Sequence, residues 1–341
     1  METVSQIEIN VISRPGHGDF REVNPTPSPI VIDAAQTRAS LPFDRLIPAL
    51  REAFTAGADV PLRHHHFMPQ PDGSTATILI MPAWQRAFIG IKIVTIFPEN
   101  GKRALPGLFS SYLLCDGETG QHVALIDGNE ITSRRTAGIG ALGADFLARE
   151  DATKLLVVGS GRIASLTADA FRAVRPIDKV AVWNIHEAGA ARLVFDLRAR
   201  GIDADVAADL ERAVGEADIV SCATLAHKPI IKGAWLKPGV HLDLVGSFTP
   251  FMREADDEVF RRGRVWLDTY DALKESGELL DPIRDGVIAA GDIAGSLAEL
   301  CRGERKGRTD ASQITVFKAV GNALSDIAAA GLVYRDFSAT A

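Results

Sequence analysis

The sequence is poor in cysteine, in charge of one sign and in long apolar runs, and each shortage closes a class of function. Its three cysteines, Cys115, Cys222 and Cys301, are far apart and odd in number. That spacing builds neither a disulfide framework nor a cysteine metal site, and it fits reduced thiols in a cytoplasmic protein. The net charge of −7 comes without a block of like charge, so no nucleic-acid or membrane surface is expected. The one basic cluster, "RGERKGR" at 302–308, reads as a solvated loop. No apolar window reaches the roughly 18 residues needed to cross a bilayer. The opening "METVSQIEINVISRPGHGDF" carries acidic residues and no continuous apolar core, unlike a secretory signal.

What is present is a globular composition. With 341 residues, 46% of them hydrophobic, the chain can bury two cores. Residues 1–40, with "NPTPSP" at 24–29, read as an arm that becomes ordered near "IVIDAA". In "FDRLIPALREAFTAG" Leu46, Ile47, Leu50 and Phe54 recur at helical spacing, and Gly57 marks the stop. Between 60 and 127, "TATILIMPAW", "FIGIKIVTIFP", "LFSSYLLCD" and "HVALIDG" predict a mostly antiparallel sheet. Near 130 the period changes, and "EITSRRTAGIGALGADFLARED" predicts a helix with Thr132 as N-cap.

Strands and helices then alternate. The runs "KLLVVG", "KVAVWNI", "DADVA", "DIVSCAT", "VHLDLVG" and "RVWLD" imply a parallel, doubly wound sheet. The run "SQITVFKAVGNALSDIAAAGLVYRD" at 312–336 reads as one long helix that rejoins the first part. The expected fold is therefore α/β. A doubly wound domain, 131–314, is inserted into a mostly antiparallel α+β domain formed by 41–130 and 315–341.

After the first of those strands comes "VVGSGRIA", with Gly159, Gly161 and Ala164 in the order G-x-G-x-x-A. The first glycine permits the tight turn. The second lets the backbone approach a pyrophosphate, whose charge a helix N-terminus favours. Gly159, Ser160, Gly161, Arg162, Ile163 and Ala164 are thus expected to hold a dinucleotide. The next strand ends in "VWNIH", with Asn184 and His186 where NAD sites usually carry an acid. Without that acid nothing repels a 2′-phosphate, so NADPH is the expected cofactor ahead of NADH. Thr136 and Thr224 are placed at the cofactor site as well. The three histidines His64, His65 and His66 alternate faces and lack an acidic cluster, so no metal is expected.

The segments "IDGNEITSRRTAGIGALGADFLA", "GSGRIA", "LPG....YLL.D..TG", "VGSFTP.MREAD" and "ITVFKAVGNALSDIAAAGLVY" occur in one order over about 40–336. In this the chain resembles the ornithine cyclodeaminase/mu-crystallin family. The resemblance implies a Rossmann domain set into a substrate and dimerisation domain, a homodimer, and chemistry on small amino acids or their imines with a nicotinamide. It also implies that Arg63 and Arg135 bind a substrate carboxylate and that Lys92 stands beside the reacting carbon. An arginine fork suits a carboxylate, and a partly buried lysine can protonate or polarise a C=N bond. Ser111, in "LFSSYLL", is a further candidate to face the substrate.

One position departs from the pattern. Cyclodeaminases are implied to carry an aspartate in the turn "GSFTPFMRE", where this chain has Phe248. A phenyl ring cannot move a proton. Asp243 precedes the turn inside a strand, and Glu254 and Asp256 follow it, where they are expected to cap or flank the helix "DDEVFRRG". A site without that acid suits reduction of a ready-made imine, with Phe248 against the ring methylenes. The expected reaction is reduction of Δ1-pyrroline-2-carboxylate to L-proline, and of the six-membered homologue to L-pipecolate. Ornithine cyclodeaminase, alanine dehydrogenase and a mu-crystallin-like NADPH-binding protein are the alternatives.

Overall fold

A computed structural model describes residues 27–85 and 87–338 of the chain, which builds around two sheets. The first sheet has six strands, β1 (Ile30–Ile32), β2 (His64–Pro69), β3 (Thr75–Trp84), β4 (Phe88–Ile96), β5 (Leu108–Asp116) and β6 (His122–Asp127). Its order is β1-β6-β5-β4-β3-β2, antiparallel except for the parallel β1–β6 pair. The mostly antiparallel sheet expected between 60 and 127 is present, with an inner and an outer face. The helix α1 (Ala34–Ser40) follows β1, and α2 (Phe43–Ala56) buries Leu46, Ile47, Leu50 and Phe54, as their spacing requires. The rest of the expected N-terminal arm, residues 1–26, lies outside the described residues.

The helix α3 (Gly128–Leu147) leads from β6 into the second sheet. That sheet contains β7 (Lys154–Val158), β8 (Lys179–Trp183), β9 (Ala204–Val206), β10 (Ile219–Cys222) and β11 (His241–Leu244). It is completed by β12 (Arg264–Leu267), β13 (Gly295–Ser296) and β14 (Thr315–Lys318). All pairs are parallel, in the order β13-β12-β14-β11-β10-β7-β8-β9. The helices α4 (Ala164–Arg172), α5 (Glu187–Ala199), α6 (Leu210–Glu216) and α7 (Asp257–Arg262) lie between its strands. Three short helices, α8 (Ala272–Glu275), α9 (Gly277–Arg284) and α10 (Leu297–Cys301), and the closing helix α11 (Ala323–Ser338) complete the described chain. This is the doubly wound architecture, with the strand order reversing between β7 and β10, where such sheets open a ligand crevice.

Two expectations are corrected. The cap of α3 is Asp127, whose Oδ1 accepts the Glu130 N–H at 2.7 Å. Thr132 lies one turn inside, its carbonyl accepting the Thr136 hydroxyl. The run 312–336 is also not one helix. Thr315–Lys318 is a buried strand paired on both sides, with β11 and β12. The chain then turns through Gly321, at φ +77°, before α11 begins. A four-residue apolar strand has no periodicity that separates it from a helix. Residues 315–318 therefore belong with the second sheet, and only α11 returns to lie on β3, β4 and β5 of the first.

Candidate active site

The central strand β4 sets Lys92 on its inner face, in register with Met81 and Tyr112, under the cover of α11. Alternation puts Ile93 outward at 42% exposure while Lys92 keeps only 2%. A lysine buried this deeply needs an anion, and α11 supplies one from its first turn. Asp326 is fully buried, with Oδ2 2.6 Å from Lys92 Nζ. Its Oδ1 accepts the Nε–H of Arg135, from α3, at 2.8 Å. One carboxylate thus fixes two cations from two different elements.

Arg63, just ahead of β2, completes the group from the other side. Its Nη2 donates to the Gly321 carbonyl at 3.2 Å and lies 3.1 Å from Glu275 Oε2 at the end of α8. The Gly321 turn strongly favours glycine. Its φ is left-handed, and a Cβ there would stand 2.3 Å from Arg135 Nη1. Asp268, at the end of β12, holds this turn by accepting the N–H groups of Gly321 at 2.7 Å and Val320 at 3.2 Å.

Burial pushes the Lys92 ammonium down to about 8; Asp326 pulls it up, and the Arg135 and Arg63 charges push it down. Burial works on Asp326 in the opposite sense, but the charges of Arg135 and Lys92 outweigh it and hold the carboxyl below its ordinary value. The outcome is a lysine that is ionised at neutral pH yet close to releasing its proton. Such tuning is what an acid catalyst at that pH requires. Tyr112, alongside, is raised above the usual phenol value by burial and by Asp326, so it stays neutral.

The structure brings Arg63, Lys92 and Arg135 together, as expected. Ser111 is a correction. It pairs with Ile93 and Asp127, on the outer face of the sheet, so it cannot reach the Lys92 side. Phe248 stands on the loop leaving β11, 49% exposed. Asp243 turns into the sheet core, where its Oδ2 accepts the Ser221 hydroxyl at 2.6 Å and faces Gly140 of α3. Asp256 does cap α7. Glu254 does not cap that helix. It is fully buried and takes the Thr224 N–H and hydroxyl at 2.7 and 2.8 Å and the Gly246 N–H at 2.7 Å. It therefore ties the loops after β10 and β11 together at the rim of the crevice. Sequence reading missed Asp326, Glu275 and Gly321. The only signal was a carboxylate inside an otherwise small and apolar helix, "ALSDIAAAG".

The loop after β7 fits a dinucleotide. Gly159 has φ +115°, donates its N–H to the Trp183 carbonyl at 2.8 Å, and would set a Cβ 2.6 Å from the Ala223 carbonyl. Gly161 has no atom within 4 Å of its Cβ direction, which leaves the approach open in front of α4. Arg162 is exposed beside it, Ile163 precedes α4, and Ala164 opens that helix, buried. Ser160 Oγ and Asn184 Nδ2 converge on Gly189 of α5, and Asn184 Nδ2 donates to the His186 carbonyl at 3.0 Å. His186 itself is exposed at the tip of β8. Thr136 donates its hydroxyl to the Thr132 carbonyl at 2.6 Å, and Thr224 donates its hydroxyl to Glu254 Oε1 at 2.8 Å.

Among known proteins, the Δ1-pyrroline-2-carboxylate reductase of Paracoccus denitrificans is 39% identical over 286 residues, 80% of this chain and 90% of that one. The solved Δ1-pyrroline-2-carboxylate reductase of Thermococcus litoralis, in complex with NADH and L-proline, superposes with a TM-score of 0.85 at 31% identity. It covers 91% of this chain and 98% of its own. An archaeal alanine dehydrogenase dimer with bound NAD follows at TM-score 0.84 and 27% identity, covering 92% of this chain and 97% of its own. The family model described as ornithine cyclodeaminase/mu-crystallin matches residues 29–341, and the chain belongs to that family.

Proposed function

We propose that the protein is an NAD(P)H-dependent oxidoreductase that reduces a cyclic ketimine carrying a carboxylate, Δ1-pyrroline-2-carboxylate, to L-proline. The observation that carries the reading is the Lys92–Asp326–Arg135 group facing Arg63, with no carboxylate at Phe248. Relatives named for this reaction match most of the chain. The six-membered imine, which differs by one methylene, is a second substrate.

Arg63 and Arg135 hold the substrate carboxylate, Arg135 through its Nη groups because Nε is engaged on Asp326. Lys92 then faces the imine nitrogen and delivers the proton that the nitrogen gains. Asp326 keeps Lys92 charged and oriented while the proton is held. The nicotinamide, when bound, supplies hydride to the imine carbon. Binding both partners in one crevice converts a bimolecular encounter into a positioned one, which provides much of the acceleration. Phe248 offers an apolar edge to the ring methylenes.

The residues that would hold the dinucleotide are Gly159 to Ala164, with Asn184 and His186 at the ribose. The strand end "NIH" leaves a 2′-phosphate unopposed, which supports NADPH over NADH. We further infer a cytoplasmic homodimer paired through the outer face of the first sheet, where Val31, Ile93, Phe109 and Leu125 are exposed. The test is NADPH oxidation with the synthetic imine. Imine-dependent turnover yielding L-proline is expected, and its absence with both nucleotides refutes the assignment.

A further inference from the structure

We propose that Glu275 is a specificity-determining residue that restricts the site to ligands with a single carboxylate. The inference rests on the substrate-binding role given above to Arg63. Three cations face the site, Arg63, Lys92 and Arg135, and two protein carboxylates face them, Asp326 and Glu275. One unit of positive charge is left over, which is the charge of one ligand carboxylate. A second carboxylate on the ligand would leave the site with an uncompensated anion.

The two protein carboxylates are not equivalent. Asp326 is fully buried and bound by two cations, so it is part of the framework. Glu275 reaches from the second sheet's side of the crevice to Arg63, and its side chain keeps 26% exposure. Its Oε2 is sealed from water and makes no hydrogen bond among the described residues, with Arg63 Nη2 at 3.1 Å as its ion-pair partner. A carboxylate oxygen so placed keeps its negative potential directed at Arg63, the group that must also receive the ligand. It is compatible with one incoming carboxylate on the arginine's free edge and repels a further one.

The experiment measures equilibrium binding of two planar probes, pyrrole-2-carboxylate and pyrrole-2,5-dicarboxylate, to the full-length protein saturated with oxidised nucleotide. Wild type is expected to prefer the monocarboxylate. Glu275→Gln is expected to narrow that preference about tenfold by improving the dicarboxylate. This is the worth of one like-charge contact at roughly 8 Å in an effective dielectric near 30. Glu275→Asp, which keeps the charge, should retain the wild-type ratio, and a role in folding alone would not separate these two variants. An unchanged ratio in Glu275→Gln, or a wild type that binds both probes equally, overturns the proposal. Probe binding with the expected ratios but no imine turnover would refute only the assigned reaction. Failure of wild type to bind either probe overturns the proposal, and it overturns the assigned reaction as well only when imine turnover is also absent.

Discussion

Replacing Asp326 with asparagine removes the carboxylate that Lys92 and Arg135 share and leaves two buried cations facing an amide. Breaking a buried ion pair from one side costs about 3–5 kcal/mol, because the remaining charge keeps its desolvation penalty. Here the Lys92 ammonium can relieve that penalty by releasing its proton. Burial and the neighbouring arginines already push it down to about 8 with Asp326 pulling the other way. Without that pull its pKa must fall further. If Lys92 donates the proton to the imine, turnover follows its protonated fraction, and above its pKa that fraction drops about tenfold per pH unit. Wild-type kcat/KM should therefore be level below pH 8 and decline above it. In Asp326→Asn the decline should begin at lower pH. The assay is the pH profile of imine reduction at saturating nucleotide, with a thermal melt alongside that should show a lowered Tm. A destabilised variant whose alkaline limb stays at the wild-type position would refute the role given to the pair.

Other perturbations separate binding from chemistry. Lys92→Met should lower kcat by roughly 10²- to 10⁴-fold, the usual worth of a positioned proton donor, while nucleotide affinity measured by fluorescence stays at the wild-type value. Gly321→Ala forces a Cβ to within 2.3 Å of Arg135 Nη1 at a left-handed φ, so the KM for the imine should rise more than the KM for nucleotide. Gly159→Ala meets the Ala223 carbonyl at 2.6 Å and should abolish nucleotide binding in a titration. His186→Asp puts an acid at the ribose end of β8, and the ratio of KM values should shift from NADPH towards NADH.

Much of this was readable from the residues, for reasons particular to each element. Alternation set Lys92 on the opposite face from Ile91 and Ile93, and the family resemblance pointed to the site. That this face is the inner one is decided by α11, which covers it. The dinucleotide loop was readable because glycine is demanded where φ is +115° and a carbonyl stands 2.6 Å away. Ser111 was misplaced because its side of β5 is fixed by register with the outward Ile93, which no local pattern shows. Asp326 was hidden because its partners, Lys92 and Arg135, are 234 and 191 residues away in sequence. No local pattern announces a contact of that range. The strand Thr315–Lys318 was hidden by shortness, and Glu254 by its closeness to a helix start that Asp256 in fact caps.

The proposed reaction stands or falls on what the purified protein does with two substrates. NADPH oxidation is followed with Δ1-pyrroline-2-carboxylate, and ammonia release is followed from L-ornithine with NAD⁺. Rapid imine-dependent oxidation that yields L-proline, with no ammonia from ornithine, is the result expected of a site that has Lys92 and its arginines but Phe248 in place of an acid. Rapid ammonia release without imine reduction would contradict it.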